Sequence, residues 1–216
     1  MSQTVSRVTA KSEETQSVRR DVVVDTSTTR IFLARHGQTV LNAAGRLRGR
    51  LDPPLTPLGL RQAKALDYVL ARSNVGLIVA SPLARAVQTA QAIANRAHLT
   101  IEVDERLIDR DYGRWAGSSL VDVEREWGSI DDAPGVEPLV QVRDRAMAAF
   151  MDVGDRSGVT AALIVSHDAI NRPLLVALDP RLEGSAVAQE TGCYNVIDRA
   201  GQGWHVVSTN NIPPLV

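Results

Sequence analysis

The chain alternates short apolar runs with longer stretches in which apolar residues recur at helical spacing. Three runs read as buried strands: Arg30 to Ala34 ("RIFLA"), Val75 to Ala80 ("VGLIVA") and Ala161 to Val165 ("AALIV"). Each is short and aliphatic or β-branched, the pattern of a central parallel strand covered on both faces. Thr56-Pro57 and Ser81-Pro82 each set an N-cap hydroxyl before a proline at the first helical position, and predict helices over 57–72 and 82–97. A third amphipathic helix is expected over 138–156, and "GCYNVIDRAGQGWHVVSTNN" reads as a closing hairpin around Gly201-Gln202-Gly203. "LDPPLTPLG" reads as a rigid loop running into a helix cap. This alternation is that of an α/β domain. Residues 1–29 differ in texture: eleven are Ser or Thr, and only Val22-Val23-Val24 looks able to bury. A flexible tail is expected there, and a single domain over 30–216.

Composition narrows the functional classes. At 216 residues and 44% hydrophobic, the chain can build one sizeable core. Its 24 basic and 25 acidic side chains create no global field that would draw nucleic acid or an anionic membrane, so neither is an expected partner. A charged ligand must be met locally. The single Cys193 excludes an internal disulfide framework and reads as a small buried hydrophobe. No apolar run approaches the roughly 18 to 20 residues of a membrane span, and no signal-peptide core opens the chain, so a cytoplasmic location is expected.

Unusual residues gather where strands end. Arg35-His36-Gly37 follows the first strand, Ser81 to Arg85 the second, and Ser166-His167-Asp168 the third. In a parallel α/β sheet ligands bind at the carboxyl ends of strands, so neighbouring strands would bring these groups into one crevice. Arg85 falls in the first turn of its predicted helix, where the dipole already presents positive charge, and a cation there points to an anion bound against it. Arg35 and Arg85 offer planar forks for phosphate oxygens, and Gly37 would allow close backbone approach. Two histidines beside two arginines are expected to stay neutral until an anion enters. A neutral imidazole is a nucleophile.

These residues carry a resemblance. "ARHGQTVLN", "GRLRGRLDPPLTPLG", "SPLARAVQTA", "DERLIDRDYGRWAG" and "LIVSHDAINRPLL" fall in the order found in the histidine phosphatase superfamily, the phosphoglycerate mutase-like proteins with an "RHG" motif. The resemblance implies a three-layer α/β/α fold around a mostly parallel sheet. It makes His36 the nucleophile that becomes phosphohistidine, with Arg35, Arg85 and His167 completing the phosphate pocket. Asn42 would be a further phosphate contact, and Asp109 falls where the family places its proton donor. The implied reaction is hydrolysis of a small phosphomonoester without metal or other cofactor. Phosphoryl transfer spreads charge over equatorial oxygens, so positioned cations carry most of the catalysis.

Two positions depart from the pattern. The family commonly has Glu at the donor position, where this chain has Asp109; the acid must stay protonated far above the usual Asp pKa of about 3.9, so burial or phosphate charge must raise it. Asp168 stands where many relatives have a small residue. Its carboxylate would repel phosphate, and is expected to turn away towards Asn171 or Arg172. Arg48, Gly49 and Arg114 lie near the expected mouth as candidate substrate contacts, together with Asp168. Asp104, Glu105 and Asp111 are alternative acids, and a salt bridge of Asp109 to Arg106 or Arg110 is its structural alternative. His98 and His205 lack partners in sequence, and Trp115 reads as packing.

A phosphoglycerate mutase uses the same pocket, but usually carries a longer basic insertion before the second histidine; here Tyr112 to Ser166 is short and holds "SIDDAPGVE", which ranks the phosphatase first. The adjacent His167-Asp168 would fit a metal-dependent HD-type phosphohydrolase, an all-helical class at odds with the apolar run before His167. A phosphate-binding regulatory protein with weak turnover is the third reading. A small phosphorylated substrate is the expected partner, with a homodimer the one assembly left open.

Overall fold

The computed structural model describes residues 29–182, 187–201 and 203–215. The chain runs through β1 (Arg30–Arg35), α1 (Val40–Ala43), α2 (Pro57–Leu70), β2 (Leu77–Ala80), α3 (Ala84–Ala97), β3 (Ile101–Val103), α4 (Leu120–Trp127), α5 (Leu139–Gly154), β4 (Ala161–Ser166), α6 (Asp168–Leu178), β5 (Tyr194–Ala200) and β6 (Gly203–Asn211). The strands form one six-stranded sheet in the order β3-β2-β4-β1-β5-β6. β1 to β4 are mutually parallel, while β5 runs antiparallel to β1 and β6 antiparallel to β5. The expected mostly parallel α/β sheet is therefore present, with the closing hairpin as its antiparallel edge.

Both faces of the sheet are covered, as the unbroken apolar strands require. Ile31 and Leu33 of β1, Ala162 and Ile164 of β4 and Val79 of β2 point to one face, against Val142, Ala146 and Phe150 of α5 and Ile170 and Leu174 of α6. Phe32, Ala34, Leu163, Val165 and Ile78 point to the other, against Leu66 and Leu70 of α2 and Ala86, Ala90 and Ile93 of α3. Burying each large aliphatic side chain stabilises the fold by about 1.5 to 3 kcal/mol, so the two clusters fix strand register face by face. The parallel pairing then sets Arg35 beside Ser166 and Ala80 beside Val165. The ends of β1, β2 and β4 thus open into one crevice.

Several expectations need correction. The helices are shorter than predicted by one or two residues at most ends, where caps intervene. Thr56 does cap α2, its side chain accepting from the Gly59 N–H at 3.1 Å. Ser81 does not cap α3: that helix begins at Ala84 after Leu83, and the carboxylate of Asp52 accepts from the Ala84 N–H at 2.9 Å in its place. α1, α4, α6 and the three-residue β3 have no counterpart among the predicted elements. Pro173 sits inside α6 and masks its helical pattern, and only Val123 of α4 is buried. The expected tail lies outside the described residues except for Thr29, which is buried and whose carbonyl accepts from the Arg199 N–H at 2.8 Å. Gln202 of the hairpin turn also lies outside them. No helix among the described residues is long and apolar enough to cross a membrane.

Candidate active site

His36 leaves the end of β1 fully buried. Its backbone is held from two sides, its N–H donating to the Ser166 carbonyl and its carbonyl accepting from the Gly192 N–H, both at 3.0 Å. The ring Nδ1 lies 2.6 Å from the Gly37 carbonyl, which can only accept, so Nδ1 carries the proton. Nε2 then presents its lone pair, 3.3 Å from the Arg85 Nε–H. Burial lowers the His36 pKa well below 6.5, and the charges of Arg85 and Arg35 lower it further. The ring is neutral in the free protein, as its neighbours in the sequence led us to expect.

Arg85 reaches the same point from the second residue of α3, with its guanidinium fully buried. It donates to the carbonyls of Leu51 at 2.7 Å and Gly49 at 2.9 Å, and to Asp109 Oδ2 at 2.8 Å. The groups opposite this cation in the free protein are two carboxyls of the chain itself, Asp109, and Asp52 at 3.7 Å. Gly49 contributes its carbonyl to Arg85 and acts as a positioning element.

His167 follows β4 and faces His36, with ring centroids 5.1 Å apart. Its Nε2 lies 2.7 Å from Ser81 Oγ, and that oxygen also accepts from the Leu83 N–H at 3.4 Å. With Ser81 as the donor to Nε2, the imidazole proton sits on Nδ1, 3.7 Å from Asp109 Oδ2. Burial, then the charge of Arg85, lowers the His167 pKa well below 6.5. Ser81 is a site residue that the Ser-Pro cap signal concealed.

Asp109 is fully buried between Arg85 and His167. Its Oδ1 accepts from the Arg110 N–H at 2.9 Å. Burial raises its pKa above 3.8 against the opposing charges of Arg48 and Arg85. The alternatives are committed elsewhere: Asp104 pairs with Arg106, Asp111 with Arg50, and the Arg110 guanidinium with Asp131. Glu105 lies in a short 3-10 turn whose one buried residue is Leu107.

Asp168 differs from expectation. It bonds neither Asn171 nor Arg172; its Oδ1 accepts from Arg48 at 2.5 Å and its Oδ2 lies 3.7 Å from Arg35. Although desolvation opposes ionisation of this half-buried group, the charges of Arg35, Arg48 and Arg172 hold its carboxyl far below the usual range. Arg48 is thereby drawn into the site, whereas Arg114 stacks on Trp115 at 4.3 Å. Asn171 instead joins Gln189 and Asn195 in a buried network that ends on the Leu33 carbonyl. Arg35 donates to the carbonyl of the same Gln189. No motif marks Gln189 or Asn195 in the sequence. Gly37 is a further correction: its N–H is taken by Thr89 Oγ1 at 3.0 Å, and a Cβ on it would lie 2.5 Å from the Gly59 carbonyl of α2. Its missing side chain serves helix packing.

After these contacts, Arg35 Nε, Asn42 Nδ2, Arg48 Nε and His167 Nδ1 are buried nitrogens without a partner among the described residues. The Asn42 assignment is fixed because Thr39 N donates to its Oδ1 at 2.9 Å. The unpartnered donors of Arg35, Arg48 and His167, beside a neutral nucleophile, fit an anion. No group of three or more His, Cys, Asp or Glu side chains among the described residues could hold a metal ion. His167 and Asp168, the HD-type pair, turn to Ser81 and Arg48 respectively.

Comparison with known proteins identifies the family. The model of the histidine phosphatase superfamily (branch 1) matches residues 31–212. The uncharacterized phosphatase PhoE of Bacillus subtilis (strain 168) is 30% identical over 185 residues, covering 84% of this chain and 94% of the relative. Phosphoserine phosphatase 1 of Hydrogenobacter thermophilus is 31% identical over 159 residues, 69% of this chain and 75% of the relative. The structure of mycobacterial glucosyl-3-phosphoglycerate phosphatase superposes with a TM-score of 0.74 at 26% identity, covering 85% of this chain and 99% of that one. The chain belongs to the histidine phosphatase superfamily, and is a phosphatase.

Proposed function

We propose that the chain hydrolyses a small phosphomonoester through a phosphohistidine on His36. The observation that carries this reading is the set of buried, unpartnered donors Arg35 Nε, Arg48 Nε and His167 Nδ1 on residues that act on or face a neutral imidazole. The phosphoryl group is bound by these donors and by Arg85, which supply positive charge as it builds on the equatorial oxygens. His36 Nε2 attacks phosphorus in line, forming the P–N bond as the P–O bond to the alcohol breaks. Asp109, whose pKa burial raises, gives its proton to the departing alkoxide. The resulting carboxylate then takes a proton from water as that water attacks phosphorus, the P–N bond breaks, and His36 and Asp109 return to their starting states.

Ser81 has a positioning role, fixing the His167 tautomer so that Nδ1–H faces the phosphoryl site. Similarity to a phosphoserine phosphatase and a glucosyl-3-phosphoglycerate phosphatase supports a small ester over a macromolecule. The test is labelling with a generic aryl phosphate. A burst of acid-labile, base-stable phosphoprotein that disappears in His36→Ala, along with phosphate release, is expected. Undiminished turnover in His36→Ala would overturn the reading. Incubation with 3-phosphoglycerate and its bisphosphate should give net phosphate; interconversion without release would instead assign a mutase.

A further inference from the structure

Beside the phosphate pocket lies a cavity of about 880 Å³ that shares Arg48 and Asp168 with it. It opens between the segment after α1, the region 112–131 with α4, the first turn of α5 and one side of α6. A three-carbon leaving group would fill little of it: cavities of about 300 to 1,000 Å³ enclose ligands of drug size. Its lining is largely apolar. Leu47, Tyr112, Leu120 and Ile130 belong to a third hydrophobic cluster, apart from the two that hold the sheet, and turn their other side to the cavity. From α5, Leu139 and Val140 face it while 41% and 50% exposed.

The charges of the lining are mostly spent. Arg48 is paired with Asp168, Arg110 with Asp131 and Arg143 with Asp144, and Arg46 donates to the Gly117 carbonyl. Glu124 stands exposed on α4. Arg172, projecting from α6 into the cavity, keeps a buried Nε with no partner among the described residues. Its charge also acts on Asp168, one turn earlier on α6, and the open Nε–H edge of the guanidinium can take a further planar anion.

We propose that this cavity is the leaving-group site and that it selects a phosphomonoester whose alcohol has an extended apolar body ending in a carboxylate bound by Arg172. The inference rests on the phosphatase reading of the adjoining pocket. Continuity commits the cavity to the substrate: a leaving group attached to phosphorus at His36 passes Arg48 and Asp168 and has this space before it.

Esters of primary alcohols test it, because the leaving oxygen is then chemically constant. Ethyl phosphate, hexyl phosphate and 6-phosphonooxyhexanoate are compared in the wild-type chain, Arg172→Met and Val140→Glu. In the wild-type chain kcat/KM should rise by about tenfold or more from ethyl to hexyl as methylenes are buried, and by roughly tenfold again with the carboxylate. Arg172→Met should erase the carboxylate increment and keep the hexyl-to-ethyl ratio. Val140→Glu, in the first turn of α5 where a carboxylate suits the helix dipole, should lower that ratio. Equal kcat/KM for the three esters would overturn the inference while leaving the phosphatase reading intact. Absence of phosphate release from every ester, aryl phosphate included, would strike both. A changed oligomeric state in Val140→Glu with unaltered ester ratios would assign the face to a second copy of the chain, and the inference falls.

Discussion

Asp109 carries the largest demand on any single residue, because a carboxyl that must give a proton near neutrality is held beside a guanidinium that favours its anion. Burial prevails and raises its pKa above 3.8, although the charges of Arg48 and Arg85 pull it down. His36 must be neutral to attack, and its pKa lies well below 6.5. Activity should therefore persist as pH falls below 6.5 and decline as pH rises through the Asp109 pKa, an acid-shifted bell. Asp109→Asn should lower kcat for an alkyl phosphate by about 10²- to 10⁴-fold, spare an aryl phosphate whose leaving group needs no proton, and remove the alkaline limb. A pH profile unaltered in Asp109→Asn would assign that limb to another group. The histidines and arginines were legible in the sequence because each stands alone at the end of an apolar run. Their partners were not: Arg48 and Asp168 meet across 120 positions, and Gln189 sits 154 positions from the Arg35 it holds. Such pairings follow from strand order, which no local spacing encodes.

At the level of elements, the buried parallel strands and the closing hairpin were legible in the sequence, and the short exposed strand β3 was not. β3 has three residues, none of them buried, and so lacks the apolar run that marks β2 and β4. The Ser81-Pro82 signal misled for a physical reason: a hydroxyl able to cap a helix can equally bond an imidazole, and here it bonds His167. The same crowding of roles appears where β1 meets α2. Gly37 and Gly59 pack backbone to backbone, and a Cβ on Gly59 would lie 2.2 Å from the Gln38 carbonyl. Replacing a helical glycine by alanine ordinarily stabilises by about 1 kcal/mol. At this crossing the sign should reverse, and Gly59→Ala should destabilise by about 1 to 3 kcal/mol through forced displacement of α2. Gly76, whose Cβ would meet nothing within 4 Å, provides the control. Urea midpoints for Gly59→Ala and Gly76→Ala measure the difference, and equal midpoints would exclude a tight crossing. Because the Gly37 carbonyl also fixes the His36 tautomer, Gly59→Ala should lose activity along with stability.

The whole molecule binds the stability of the fold to the protonation of its site. Two histidines are buried neutral at the junction of β1, β4 and α3, each with a pKa well below 6.5. In the unfolded chain both return to ordinary values, so below pH 6.5 the unfolded state takes up protons that the folded state refuses. Stability is then full above that pH and falls as pH drops towards the folded pKa values. Asp168 acts in the same direction but lower, its depressed pKa costing stability only as pH falls through and below 3.8. Asp109 opposes both: its raised pKa lets the folded state hold a proton the unfolded state releases, so its contribution grows as pH falls towards 3.8. Between pH 6.5 and 5 the two histidines outnumber the one aspartate, and the free energy of unfolding should decline with acidification. Urea titrations followed by tryptophan fluorescence at several pH values give the slope, which counts protons taken up on unfolding. His36→Asn should remove close to one proton from that slope. Inorganic phosphate, bound only by the folded pocket, should raise stability across the range in the wild-type chain, and do so less in His36→Asn and Arg35→Met. A slope unchanged by His36→Asn would show that the acid sensitivity of the fold arises outside its catalytic centre.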